Sequence, residues 1–428
     1  MNPTVCFKTI GCRLNQAETA RIAAQFEAAG YGLAEPEQAC DVALIHTCAI
    51  THVAQRDGVR WARRLRRAGA RVVVLAGCAV ELDAEDLQRA TGADLLVGQK
   101  QKFDIPALLH DRFGIGLPVA ANENAGPAAP FTPLLAMTRA LVKVQDGCDF
   151  RCSYCVVPDT RGTAQSRPLA DVLEDVRRLA GDGYREITLT GANLGCYASP
   201  PHSLIHLLEA VETVPGIMRF RIGSIESTTV EREVIDYMAA SRKLCRFLHL
   251  PLQSGDDGVL ARMRRRYTAA QYRATVEYAV ARMPDLGLGT DVITGFPGET
   301  EGAFASTVAL IRDLPFSNLH VFPYSPRRGT PAATMPGQVR EDVKKARTAE
   351  LIALGREKRQ AFAQSFVGNL VSMIAEHTSE AEITIGWSGQ YLPVRLEGTA
   401  LPPNTAVTCL PVRCDGDVLL ARRILSVA

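Results

Sequence analysis

At 428 residues, with 47% hydrophobic and 22% charged residues, the chain is long enough for two or three cores and too apolar for wholesale disorder. A formal net charge of +2 excludes strong whole-molecule attraction to nucleic acid and leaves that role to local patches. The longest apolar runs fall far short of the ~20 residues that span a bilayer, and residues 1–11 lack a signal-peptide pattern. The sequence therefore reads as a cytoplasmic protein with no membrane partner, whose twelve cysteines serve metal, catalysis or packing rather than disulfides.

In chain order, the first segment alternates short β-branched runs with helical patterns. Thr4 to Ile10, Asp41 to Ile45, Arg71 to Leu75 and Asp94 to Val97 read as strands, with helices over Gln16 to Ala29, Val53 to Arg67 and Ala84 to Ala90. This pattern predicts a parallel βαβ sheet over residues 1–120. From Gly116 to Pro133 the composition turns to Pro, Ala, Gly and Asn without periodicity, which reads as a linker. Six strand-like runs follow, at Leu141 to Gln145, Glu186 to Thr190, Arg219 to Ile222, Arg246 to Leu250, Gly289 to Ile293 and Asn318 to Phe322. Each of the first five precedes a helical segment, so residues 134–364 read as a (β/α)6 partial TIM barrel ending in a charged helix over Glu341 to Gln364. Short strands separated by turn residues then predict a small β-barrel over 365–428. The fold class is α/β.

The cysteines fall at chosen places. Cys12, Cys48 and Cys78 each lie within about three residues of a strand's carboxyl end, the edge where open α/β sheets bind ligands. They read either as one metal site or as three small buried residues near turns. Cys148, Cys152 and Cys155 form a C-x3-C-x2-C loop just past the first barrel strand, where barrel enzymes place their chemistry. Iron–sulfur cubanes ordinarily take four thiolates; no fourth cysteine follows closely, so a cluster here would leave one iron open to an outside ligand. A structural zinc site would want four protein ligands, and the nearest histidines, His110 and His202, lie far outside the loop. Cys6, Cys40, Cys245, Cys409 and Cys414 have no ligand spacing, and Cys196 is left open.

The C-x3-C-x2-C loop on a partial barrel resembles the radical S-adenosylmethionine superfamily. With the three upstream cysteines and the terminal β module, which is similar to a TRAM domain, the whole chain looks like the methylthiotransferases. The run Phe7 to Thr19, with Gly11-Cys12-Arg13-Leu14-Asn15-Gln16-Ala17-Glu18-Thr19, is most similar to the branch acting on N6-threonylcarbamoyladenosine in tRNA, as are His249 to Gly255, Asp291 to Thr300 and His320 to Thr330. The resemblance implies two [4Fe-4S] clusters and S-adenosyl-L-methionine as cofactors. It also implies methylthiolation of carbon 2 of that nucleoside at position 37, in the anticodon region, with an electron donor such as flavodoxin or ferredoxin and a sulfur source as further partners.

By the same resemblance, the Cys148/Cys152/Cys155 cluster binds and reduces the sulfonium, and the Cys12/Cys48/Cys78 cluster carries the sulfur. Tyr154 would border the adenine, Gly191 and Asn193 would approach the methionine amino group, and Glu226 and Gln253 would hold ribose or carboxylate. Glu226 and Gln253 could equally satisfy backbone groups at the barrel end. For RNA, the strongest basic face is the helix carrying Arg56, Arg60, Arg63, Arg64 and Arg67, all on one side. Arg262, Arg264, Arg265 and Arg266 form a second basic group, while the tail from Gln364 has four Arg against six Asp and Glu. Two other functions fit parts of the pattern. A methylthiotransferase for a ribosomal-protein aspartate would differ in substrate, and a non-catalytic iron–sulfur RNA-binding protein would form no 5′-deoxyadenosine.

Overall fold

The computed structural model describes residues 2–36, 38–116, 138–379, 382–398 and 400–424. The expected linker lies almost wholly outside the described residues. The N-terminal segment forms a five-stranded, all-parallel sheet in the order Gly32–Leu33, Thr4–Thr9, Val42–Thr47, Val72–Gly77, Leu95–Val97. Its two central strands, VALIHT and VVVLAG, are buried along their whole length, as expected of a parallel sheet covered on both faces. Helices Arg13–Ala28, His52–Arg67 and Cys78–Thr91 start immediately or within a few residues after those strands end. The third begins earlier than its periodicity suggests and is interrupted at Asp83, whose backbone is non-helical. An additional helix, Ile105–Phe113, follows the last strand and opens with proline in its first turn.

The six expected barrel strands are present at Arg139–Lys143, Glu186–Thr190, Arg219–Ile222, Phe247–His249, Gly287–Thr294 and Asn318–Pro323. The first three and the last three pair in parallel as two sheets. A single parallel bridge, Phe220 to Leu244, joins the halves in chain order, and among the described residues the first and sixth strands do not pair. The barrel is thus open on one side. Apolar residues of the strands and of the flanking helices form one continuous core around it, including Val176, Leu208, Met238, Val276 and Ile311.

The helix Glu341–Gln364 leads to a closed five-stranded barrel of Val371–Thr378, Thr384–Ser388, Pro393–Leu396, Val418–Arg423 and Ala406–Asp415. The last of these, whose sequence pattern marks a strand over Ala406 to Leu410, runs on to Asp415, because the register shift between Pro411 and Arg413 lets a strand carry a proline. No helix among the described residues is long and apolar enough to cross a membrane.

Candidate functional site

Three cysteines occupy helix starts or strand ends on one edge of the first sheet. Cys12 caps helix Arg13–Ala28, Cys78 is the first residue of its helix, and Cys48 directly follows strand Val42–Thr47. Two glycines make this packing possible. A Cβ on Gly11, whose φ is +110°, would stand 2.8 Å from Cys48 Sγ. One on Gly77, with φ +103°, would stand 2.6 Å from the His46 ring. Cys48 Sγ accepts the Ile50 N–H at 3.5 Å, and Gln99 Nε2 donates to Cys78 Sγ at 3.0 Å. Burial pushes the Cys48 thiol up to about 11 and raises Cys78, so neither carries a free negative charge unless a cation lies beside it.

The second triplet lies on the loop after the first barrel strand. Cys148 and Cys155 each accept a backbone N–H from two residues on, at 3.4 Å. Burial pushes Cys155 up to about 12. Arg265, a side chain 2% exposed, donates to Cys152 Sγ at 3.3 Å and pairs with the Glu226 carboxylate. Among the described residues, neither cysteine triplet closes to the spacing of a single metal ion.

A cavity of about 760 Å3 runs through the barrel, lined by Cys12, Cys48, Cys78, Gly191, Asn193 and Glu226. The structure therefore brings these six expected site residues to one space. Asn193 Nδ2 is buried with no hydrogen-bond partner among the described residues, yet lies near enough to Cys148 to favour its thiolate. Gly191 owes its identity to Gln145, whose Oε1 would stand 2.9 Å from a Cβ there. Five expected residues lie outside the lining: Cys148, Cys152 and Cys155 of the barrel loop, with Tyr154 and Gln253. Tyr154 packs edge-on against Phe296, 6.3 Å between centroids. Gln253 sits at φ +64° with its backbone bonded to Asp291 and Ile293 on the fifth strand. Cys196 lies in a short turn, Leu194–Cys196, close enough to Cys148 for their charges to interact.

The first sheet and the barrel meet at a buried ion network. Glu18, 1% exposed, accepts from Lys102 at 2.6 Å, Lys143 at 2.7 Å and Arg161 at 3.0 Å. Burial alone would raise its pKa, but Lys143, Arg161 and Lys102 hold it well below the usual range. Arg161 also donates to Asn15 Oδ1 at 2.7 Å, and Asn15 Nδ2 donates to Ile10 O and Thr47 O, beside Cys12 and Cys48. Thr19 reaches Asn15 O and His46 Nδ1. Asn15 and Glu18 in the first cysteine motif thus fix the seam between the two domains, with Thr19 bracing Asn15 and His46 from within the first.

Sequence reasoning missed several of these positions. Gln145, 1% exposed, accepts from Asn193 N at 2.9 Å and ties the first barrel loop to the second. Arg265 belongs to the arginine group assigned to RNA, yet it is buried against Cys152 and Glu226, so that group loses one member. A lone arginine flanked by others carries no signal that separates it from them. Arg161 is likewise buried, 2% exposed. The face of Arg56, Arg60, Arg63, Arg64 and Arg67 is exposed throughout.

Comparison with known proteins accounts for both halves of the cavity. Residues 142–311 match the Radical SAM superfamily model, and residues 4–98 match uncharacterized protein family UPF0004. The chain is 35% identical over 409 residues, 92% of its length and 91% of the relative's, to threonylcarbamoyladenosine tRNA methylthiotransferase MtaB of Bacillus subtilis (strain 168). It is 36% identical over 443 residues, 97% of its length and 89% of the relative's, to tRNA-2-methylthio-N(6)-dimethylallyladenosine synthase of Frankia alni. Among solved structures, it is similar in fold to the radical S-adenosylmethionine methyltransferase TsrM from Kitasatospora setae, with TM-score 0.57, 15% identity and coverage of 78% of this chain and 77% of that one. A full-length match at this identity to enzymes so named, on a chain that sets a C-x3-C-x2-C loop on a partial barrel, means that the protein belongs to the radical S-adenosylmethionine methylthiotransferases.

Proposed function

We propose that the protein transfers a methylthio group to carbon 2 of N6-threonylcarbamoyladenosine at position 37 of tRNA, in the cytoplasm. The observation that carries this reading is the 35% identity, over 92% of the chain, to a methylthiotransferase named for that nucleoside. The cavity gives it a place, because the thiols of the first sheet and the mouth of the barrel line one space.

In this reading Cys148, Cys152 and Cys155 hold one [4Fe-4S] cluster, and Cys12, Cys48 and Cys78 hold the other. The thiol chemistry fits: burial pushes Cys48, Cys78, Cys148 and Cys155 toward their neutral form, and a cationic core is what lets buried thiolates persist. When bound, the clusters supply the reducing electron for S-adenosyl-L-methionine and the sulfur for transfer, chemistry that is the cofactors' own. The chain's contribution is positioning. Asn193 offers an unpaired donor to the bound methionine end, with Gly191 beside it leaving the approach open. Arg265 holds Glu226 in place beside the cluster loop, and Gln145 holds the backbone of Asn193. Tyr154 and Gln253 act by supporting the loop and the strand end from behind. A flavodoxin or ferredoxin would serve as electron donor, with a separate sulfur source.

Mass spectrometry of tRNA nucleosides from a strain lacking the gene tests the substrate. The methylthio derivative of N6-threonylcarbamoyladenosine should disappear while its unmodified parent accumulates. Loss of the methylthio-dimethylallyl nucleoside instead would assign the activity named for the Frankia alni relative, and loss of neither would overturn a tRNA substrate.

A further inference from the structure

Opposite the cluster loop, the last three barrel strands place a polar group that the proposed function does not use. His249 ends the fourth strand, Asp291 lies within the fifth and His320 within the sixth, and all three line the cavity. The register sets this up. Asp291 pairs with His320 and Gly289 with His249, so residues two apart on one strand face share the lumen. Gly289 clears the space, since a Cβ there would stand 2.6 Å from His249 Cδ2. The two imidazoles flank one carboxylate oxygen. His249 Nε2 is 3.3 Å and His320 Nδ1 3.1 Å from Asp291 Oδ1, and all three atoms lie within 4.8 Å of one another.

We propose that His249 Nε2, Asp291 Oδ1 and His320 Nδ1 form a binding site for a divalent first-row metal ion, separate from both cysteine triplets. Three observations carry it. Donors about 2.1 Å from one ion and at right angles to each other lie roughly 3 Å apart, as the two measured separations do. The outer ring nitrogens have partners that would orient them. His249 Nδ1 meets Ser224 Oγ at 2.9 Å, and His320 Nε2 meets the Asn318 carboxamide at 3.2 Å, which accepts from Nε2–H when its amide is turned over. Finally, buried His249 Nε2 has no well-formed hydrogen bond among the described residues and faces only the Asp291 carboxylate oxygen. In the tautomer whose Nδ1–H donates to Ser224 Oγ, Nε2 turns a lone pair toward the Asp291 carboxylate, and a cation between them is what that tautomer accommodates. Two neutral imidazoles and one carboxylate suit a divalent ion. Its remaining coordination positions face the cavity, where a water or an oxygen of the molecule bound there would complete them. The site stands whichever nucleoside is the substrate.

Zinc makes the test readable against the iron of the clusters. Anaerobically prepared holoenzyme would be equilibrated with one equivalent of zinc and dialysed against metal-free buffer. Its zinc content and zinc-edge X-ray absorption would then be compared with those of His320→Ala and Asp291→Asn, with iron content and circular dichroism checking clusters and fold. His320 is half exposed, so its removal empties no core. We expect about one zinc per chain, a first shell of nitrogen and oxygen with imidazole scattering, and affinity at least about tenfold lower in both variants. Sulfur in the first shell, no retained zinc in the unmodified enzyme, or equal retention in the variants would each overturn the site.

Discussion

Arg221, on the third barrel strand, donates from Nε to Glu186 on the second at 2.5 Å, and its two terminal nitrogens donate to Ser388 O and Gly389 O of the C-terminal barrel. Arg219 repeats the arrangement, bonding Glu186 Oε2 and, in the C-terminal barrel, Ser372 O and Trp387 O. One buried carboxylate therefore neutralises two arginines whose remaining hydrogen bonds, among the described residues, run to the C-terminal barrel.

The first prediction concerns that carboxylate. Glu186→Gln leaves Arg219 and Arg221 buried without a counter-charge and should cost about 3–5 kcal/mol in denaturant unfolding. Burial alone would raise the Glu186 pKa, but Arg221, Arg219 and Arg139 outweigh it and hold it below its ordinary 4.5. A depressed carboxylate adds stability that is complete above its unfolded value and lost as pH falls through its folded one. The unmodified protein should lose stability on acidification below about pH 4.5, and the variant should show a shallower acid loss. Parallel acid profiles would mean that Glu186 does not titrate as an ion pair.

How far these sites could be read from sequence follows from what each depends on. Strand ends and the thiols beside them were legible, because β-branched runs and cysteine spacing are local signals. The charged helix Glu341–Gln364 was legible for the same reason. The set of His249, Asp291 and His320 was not, since it needs the register of three strands drawn from residues 247–323. Glu18 stands in the first cysteine motif, which gives no sign of its ion pairs. Its partners Lys102, Lys143 and Arg161 come from 84 to 143 residues away, and no pattern along the chain links them.

The C-terminal barrel offers a second prediction. Its acidic balance gives it little to attract RNA, and its hairpin tip is spent on the other domains. Tyr391 stacks on Phe247 at 4.8 Å between centroids and accepts from Arg13 Nη2 at 2.9 Å. Deleting residues 366–428 would strip Arg219 and Arg221 of their carbonyl partners. S-adenosylmethionine cleavage and tRNA modification should then fall together, with a lower melting temperature. Intact cleavage in the deletion, with modification alone lost, would make the tail an RNA-binding module instead.

A third prediction addresses the arginine face. Arg63 donates to Ala90 O and so supports the fold, whereas Arg56, Arg60 and Arg67 project from the exposed side. Replacing those three by Ala should weaken tRNA binding and flatten its dependence on log salt concentration by roughly two to three, as fewer counterions are released. An unchanged slope would make this helix an ordinary solvated surface.

The last prediction separates the two cysteine triplets, which sit on different domains and are assigned different work. Replacing Cys148, Cys152 and Cys155 by Ala removes the thiols of the barrel loop but keeps Gly11, Gly77 and Asn15, which seat the cysteines of the first sheet. Iron content should fall by about half, with neither 5′-deoxyadenosine nor methylthiolated nucleoside formed. Replacing Cys12, Cys48 and Cys78 should also halve the iron, yet leave Arg265, Glu226 and Asn193 around the barrel loop undisturbed. This variant should still produce 5′-deoxyadenosine when reduced with S-adenosylmethionine, while no sulfur reaches the tRNA. The two losses are therefore unequal, since the two sets of thiols sit on different domains and those of the first sheet line the cavity. A second variant that is folded, keeps its barrel iron and still makes the methylthio nucleoside at the unmodified rate would show that the thiols of the first sheet are structural.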